Sequence, residues 1–264
     1  MNSKSVEIYV FSGSGNTFLL AEAAAGVFNA NGREAVLRPL PGEIFPARPD
    51  CALGLSFPVA CFATYPFVIK FLQSLPPGGG REAFYLGSMA AFSFSTEEAI
   101  RRLLVAKNYK PVGCCIPKMP SNYGKHLSPA SPANQNIIKT GTGEAAAFAS
   151  RLLDGKTVWD KKTVPWSGFF YRIAQGQWPW RLFRWFFPLQ INNTRCVQCG
   201  FCRGICPADA IETKAGALSI NSNCVGCQHC AAFCPQAAIG IGGQSGSYYR
   251  AAEYSRITGG LRRQ

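Results

Sequence analysis

Two runs of cysteines have types and spacing that can do chemistry. They read CVQCGFCRGICP at 196–207 and CVGCQHCAAFCP at 224–235, and both follow C-x2-C-x2-C-x3-C-P. Thiolates at threefold spacing wrap a tight loop around three corners of a four-iron cubane, and the fourth ligand must come from further away. In runs of this kind the last cysteine of each serves the other cluster. One 4Fe–4S cluster is therefore assigned to Cys196, Cys199, Cys202 and Cys234, and a second to Cys224, Cys227, Cys230 and Cys206. Pro207 and Pro235 turn the chain just after the ligand that crosses over. Structural zinc prefers two separated C-x2-C pairs, and disulfides need an oxidising compartment, so both fit poorly. The runs form an internal repeat: Ala208-Asp209-Ala210-Ile211 after the first matches Gln236-Ala237-Ala238-Ile239 after the second.

A second feature lies near the start. Ser5–Phe11 is rich in β-branched and aromatic residues and reads as a strand. It runs into Ser12-Gly13-Ser14-Gly15-Asn16-Thr17, then a helical pattern over Phe18–Phe28. Strand, Gly/Ser/Thr loop and helix make an anion site, because backbone N–H groups and the helix N-terminus face the ligand. The hydroxyls of Ser12, Ser14 and Thr17 and the amide of Asn16 can add hydrogen bonds. A P-loop would need a Lys that is absent. A dinucleotide fingerprint would need a glycine where Phe18 stands. With no Lys or Arg, the loop suits a monophosphate held by hydroxyls and amides.

The elements that must position this loop alternate as in a doubly wound α/β fold. Strands are expected at Glu34–Arg38, Cys51–Phe57, Glu82–Ser88 and Pro111–Pro117. Helices are expected at Tyr65–Leu75, at Thr96–Lys107 (Ser95 as cap, Glu98 completing a capping box) and at Gly143–Leu153, with a Pro-rich loop over Leu40–Pro49. Five parallel strands with a phosphate loop after the first predict the order 2-1-3-4-5, with ligand at the carboxyl ends of strands 1, 3 and 4. The loops there are Pro58, Val59, Ala60, Cys61, Phe62 and on to Thr64; Met89, Ala90, Ala91, Phe92 and on to Phe94; and MPSNY at Met119–Tyr123. The first two can border a flavin ring, and Phe62, Phe92 and Tyr123 are aromatics in the right neighbourhood. His126 receives no role. His229 is expected to be exposed.

S-x-S-G-x-T resembles the FMN-phosphate loop of flavodoxins, T-x-T-G-x-T with Ser for Thr twice. Residues 191–243 resemble a dicluster bacterial ferredoxin. FSGSGNT, MPSNY and the C-terminal cysteine runs together resemble the flavodoxin–ferredoxin fusion proteins, often labelled EFR-family ferredoxins, over about 5–243. The resemblance implies FMN and two 4Fe–4S clusters in one chain. The domains expected are then a flavodoxin-like FMN domain over 1–155 and a small α+β ferredoxin-like domain over 191–243; composition adds an aromatic, basic connector over 156–190 and a polar, basic tail over 244–264, either disordered or docked on the first domain.

The remaining cysteines, Cys51, Cys61, Cys114 and Cys115, lie in apolar contexts and read as buried free thiols. All five tryptophans fall in the connector. Of the 22 residues from Trp166 to Phe187 ten are aromatic, Arg172, Arg181 and Arg184 are interspersed, and Asp and Glu are absent. This stretch is read as a packing element against both domains, in preference to a membrane-surface element, and is too broken to span a bilayer. The formal charge of +13 counts the thiols as neutral, so the cluster-loaded protein is less basic. No nucleic-acid motif accompanies the charge, and a basic surface suits an acidic redox partner. No secretory segment precedes the first strand, so a cytoplasmic setting under reducing conditions is expected. No general base or nucleophile constellation is visible. The chain thus reads as an electron carrier relaying between FMN and the clusters, rather than a stand-alone enzyme. The competing reading is a ferredoxin whose first domain binds no flavin and docks partners.

Overall fold

A computed structural model describes residues 1–42, 48, 50–61, 63–93, 96–123, 128–156, 159, 167–242 and 248–258. The first domain alternates β1 (Ser5–Val10), α1 (Asn16–Ala30), β2 (Glu34–Pro39), β3 (Cys51–Ser56), α2 (Pro66–Ser74), β4 (Glu82–Leu86), α3 (Thr96–Ala106), β5 (Lys110–Cys115) and α4 (Pro132–Leu153). The strands form one sheet in the order β2-β1-β3-β4-β5, and every pairing is parallel. This is the flavodoxin-type doubly wound order.

Alternation along the strands builds a core on each face of the sheet. Val6, Ile8 and Val10 of β1 join Phe28, Phe84 and Phe148 beneath α1 and α4. Tyr9 and Phe11 join Leu53, Leu55, Tyr85 and Ile100 beneath α2 and α3. Glu98 is held by Arg101 at 2.8 Å and by Arg102 at 2.8 Å. The expected cap Ser95 lies outside the described residues, as do Phe62, Phe94, His126 and part of the Pro-rich loop.

Two elements depart from expectation. The last helix of the domain begins at Pro132, behind a Ser131 cap whose hydroxyl accepts from the Asn134 amide, rather than at Gly143. The connector, where Pro179 and Pro188 bracket one short helical run over Trp180–Phe187 in the sequence, folds as two helices, α5 (Ser167–Gln175) and α6 (Gln177–Phe186).

The second domain carries β6 (Leu189–Ile191), α7 (Phe201–Gly204), β7 (Ile211–Lys214), β8 (Ala217–Ile220), α8 (His229–Ala232) and β9 (Ile239–Ile241). Strands β6 and β9 pair antiparallel, as do β7 and β8. Residues 248–258, ending in α9 (Tyr254–Ile257), return to the first domain. The Ala251 amide donates to the Ser14 carbonyl at 2.7 Å, and Arg256 pairs with Glu22 at 2.7 Å. Of the two possibilities raised for the tail, its described part therefore takes docking. The two domains share both cores: Phe233 and Ile257 enter the first, Trp180 and Val225 the second. Among the described residues, no helix is long and apolar enough to cross a membrane.

Candidate functional site

A cavity of about 360 Å³ opens at the carboxyl ends of the strands, within the range of cofactor sites. Of the loop after β1, Ser12, Gly13, Ser14, Asn16 and Thr17 line it. Pro58, Val59, Ala60 and Cys61 line it after β3, and Met89, Ala90, Ala91 and Phe92 after β4. Gly15 does not. Its φ of 105° turns the chain into α1, and a Cβ there would meet the Ala252 amide nitrogen at 2.4 Å. Phe92 stands 72% exposed.

Several lining residues had no signal as flavin contacts. Tyr65 and Ser88 read as helix and strand. Trp180 and Phe183 of α6 wall the cavity together with Met119–Tyr123. The aromatic richness of the connector was the only available hint.

The cavity fits an anion held by neutral donors. Among the described residues, no protein acceptor takes up the amides of Gly13, Ser14, Asn16 and Thr17. Open N–H groups are what a helix N-terminus offers an anion. The Ser14 hydroxyl also makes no hydrogen bond among the described residues, and no charged side chain lines the cavity. Other expected donors are already engaged. Asn16 Nδ2 donates to the Pro120 carbonyl at 2.7 Å, and Asn16 Oδ1 accepts from the Tyr249 hydroxyl at 2.6 Å. The Thr17 and Ser88 hydroxyls hydrogen-bond each other at 2.6 Å, whereas Ser12 Oγ only accepts, from the Gly15 amide at 3.0 Å, and keeps its own proton to donate. The site thus rests on amides and on Ser12 and Ser14, with Asn16 spent on fixing the loop.

Cys61 faces the cavity as a neutral thiol, because burial pushes it up to about 11. At neutral pH its alkylation by iodoacetamide should run roughly a hundredfold slower than that of an open thiol. Mass spectrometry of the Cys61 peptide checks this; alkylation at the open-thiol rate would show that the wall is not closed. Cys51 is buried, as expected of the outlying cysteines, but Cys61, Cys114 and Cys115 are only half-buried.

The cysteine runs ring two further cavities. Cys206, Cys224, Cys227 and Cys230 line one, and Cys196, Cys199, Cys202 and Cys234 line the other. Among the described residues, no three His, Cys, Asp or Glu side chains converge on a single ion. Sulfurs spread around a cavity suit a polynuclear cluster, which takes one thiolate per iron corner. The repeat reappears as geometry. The Ala210 amide donates to Cys206 Sγ at 3.3 Å, and the Ala238 amide to Cys234 Sγ at 3.3 Å. Asp209 and Ala237 sit at matching φ of 48° and 47°. Amide donors of this kind tune a cluster's potential.

The two sulfur sites differ in setting. Cys224, Cys227 and Cys230 are buried, whereas Cys199 is exposed beside Val197. The buried site lies against the first cavity. A Cβ on Gly13 would stand 2.1 Å from the Cys227 carbonyl oxygen. The Tyr123 hydroxyl donates to the Gly226 carbonyl, and Tyr65 lines the same cavity. Burial holds both hydroxyls well above the ordinary range, so both stay protonated. Arg184 donates to the Cys224 carbonyl at 2.9 Å. His229 corrects the expectation of exposure: it is buried, with Nδ1 at 3.2 Å from the Ser12 carbonyl and 3.3 Å from that of Gly13. Carbonyls only accept, so Nδ1 carries the proton.

Comparison with known proteins finds similarities in both parts of the chain. Residues 195–239 match the family described as 4Fe-4S dicluster domain. Solved structures similar to the first part include two-electron reduced flavodoxin from Megasphaera elsdenii, 22% identical over 54% of this chain and 98% of its own, at a TM-score of 0.36. Flavodoxin 2 from Bacillus cereus is 18% identical over 56% of this chain and 99% of its own, at 0.38. The flavodiiron protein from Giardia intestinalis is 15% identical over 58% of this chain and 37% of its own, at 0.40. The fold assignment rests on the strand order itself. No curated protein sequence matches the chain.

Proposed function

Because the chain is a fusion of a flavodoxin-like domain with a 4Fe–4S dicluster domain, an architecture for electron transfer, we propose that it carries FMN and two clusters as one relay. The observation that carries this reading is the shared wall: Gly13 of the phosphate loop abuts the Cys227 carbonyl, and Tyr123 bonds Gly226. Cofactors bound on either side of that wall would lie close enough to exchange electrons.

The amides of Gly13, Ser14, Asn16 and Thr17 and the hydroxyls of Ser12 and Ser14 would hold the FMN phosphate. Pro58–Cys61 and Met89–Phe92 would border the ring. Cys206, Cys224, Cys227 and Cys230 would hold an inner cluster, and Cys196, Cys199, Cys202 and Cys234 an outer one. When bound, FMN supplies two-electron chemistry divisible into single steps, and each cluster carries one electron. The protein's part is binding, orientation and exclusion of water. Tyr65, Tyr123, Trp180 and Phe183 close the space between flavin and inner cluster. The exposed Cys199, between the exposed Arg195 and Arg203, is where an acidic redox partner would meet the outer cluster.

The competing reading, a docking domain without flavin, draws on the internal engagement of Asn16 and Thr17. Anaerobic purification with assay of iron, sulfide and acid-released FMN separates the two. About eight irons and one FMN per chain are expected. The same iron with no FMN after reconstitution would leave the docking reading, and little iron would refute both.

A further inference from the structure

The connector has two faces, and the relay uses only one. Trp180, Phe183 and Arg184 of α6 turn inward to the cavity and to Cys224. Trp178, Arg181, Leu182 and Trp185, spaced three or four apart, share the opposite face, with Phe186 beside them. Trp178 is 60% exposed, Trp185 74% and Phe186 60%. Six of the ten large hydrophobic side chains exposed among the described residues fall between Phe169 and Phe187. Such concentration on one short segment marks an interaction surface.

We propose that the outer face of α5 and α6 docks on an anionic lipid surface. Arg181 is exposed among the α6 rings and Arg172 is exposed on α5, and residues 166–187 contain no Asp or Glu. Tryptophan rings beside arginines match the headgroup boundary, where rings enter the acyl region and guanidinium groups meet lipid phosphates. A second copy of the chain fits less well. A two-fold interface is self-complementary, and this patch would set arginine against arginine. An acidic protein would answer the charges but not the apolar rings between them. The surface is independent of the relay reading, since the exposed rings line neither the flavin cavity nor the sulfur sites.

The test is flotation of the purified holoprotein with vesicles. Phosphatidylglycerol–phosphatidylcholine vesicles should carry the protein, and phosphatidylcholine alone should carry roughly tenfold less or worse. Added salt should release it. Trp185→Glu and the pair Arg172→Glu with Arg181→Glu should each lower binding about tenfold or more while iron content stays unchanged. No flotation with anionic vesicles, equal flotation of the variants, or loss of binding only together with iron would overturn the proposal. So would a lipid-free dimer, seen by light scattering and split by Trp185→Glu, which would assign the face to a second copy.

Discussion

Cys206→Ala should remove the four-iron cluster of the other cysteine run and spare the one its own run mostly builds. Cys206 shares a cavity with Cys224, Cys227 and Cys230, while Cys196, Cys199 and Cys202 are completed by Cys234. Iron should fall from about eight to about four per chain, and the surviving cluster should be the exposed one. Cys234→Ala should also leave about four irons, but in the buried site. The two variants then differ in a second readout. Loss of the inner cluster removes the packing of Cys227 beneath Gly13, so Cys206→Ala should open the domain interface to limited proteolysis, and Cys234→Ala should not. Cysteines are also part of the small core of the second domain, with Leu189, Ile211 and Ile239. A variant without one cluster should therefore unfold at lower denaturant as well. If Cys206→Ala lost the exposed cluster instead, the crossover assignment would be wrong.

The cysteine-lined cavities and the sheet order were legible for different reasons. A four-iron cluster would demand thiolates at fixed short spacings, so its expected ligands are written locally. Parallel strands buried on both faces read as apolar runs, and the loop after the first strand set the topology. What stayed hidden depends on contacts distant in sequence. The first turns of α4, Pro132–Thr142, are polar and contain Gly141, which reads as loop. The structure uses that glycine for close approach: a Cβ there would meet Met119 Sδ at 2.7 Å and the Lys118 carbonyl oxygen at 2.9 Å. His229 was read as exposed because a lone histidine between two cysteines is more often solvated than engaged, and its actual partners are the carbonyls of Ser12 and Gly13 in the other domain. Asn16 looked like a ligand donor until Pro120 and Tyr249 were seen to occupy its amide. His229 and Asn16 sit where the first domain meets the second domain and the tail, and such docking has no local code.

That docking makes Gly13→Ala a disruptive methyl that acts on the domain interface. The added Cβ would stand 2.1 Å from the Cys227 carbonyl oxygen. A side chain could swing aside, but a backbone carbonyl pinned between two expected cluster ligands cannot. Either the phosphate loop retreats, which misaligns the amides of Ser14 and Asn16, or the domains separate. Overpacking of this kind costs about 1–3 kcal/mol, with a rigid neighbour toward the upper end. Flavin retention should drop by roughly tenfold to a hundredfold, with proteolysis between the domains accelerated. Ser14→Ala is the contrast. It removes a hydroxyl with no protein partner among the described residues and adds no volume, so flavin should weaken about tenfold while the interface stays closed. Wild-type flavin content and protease resistance in Gly13→Ala would mean that the phosphate loop and the Cys227 loop do not touch in solution. The shared wall on which the relay depends would then be gone.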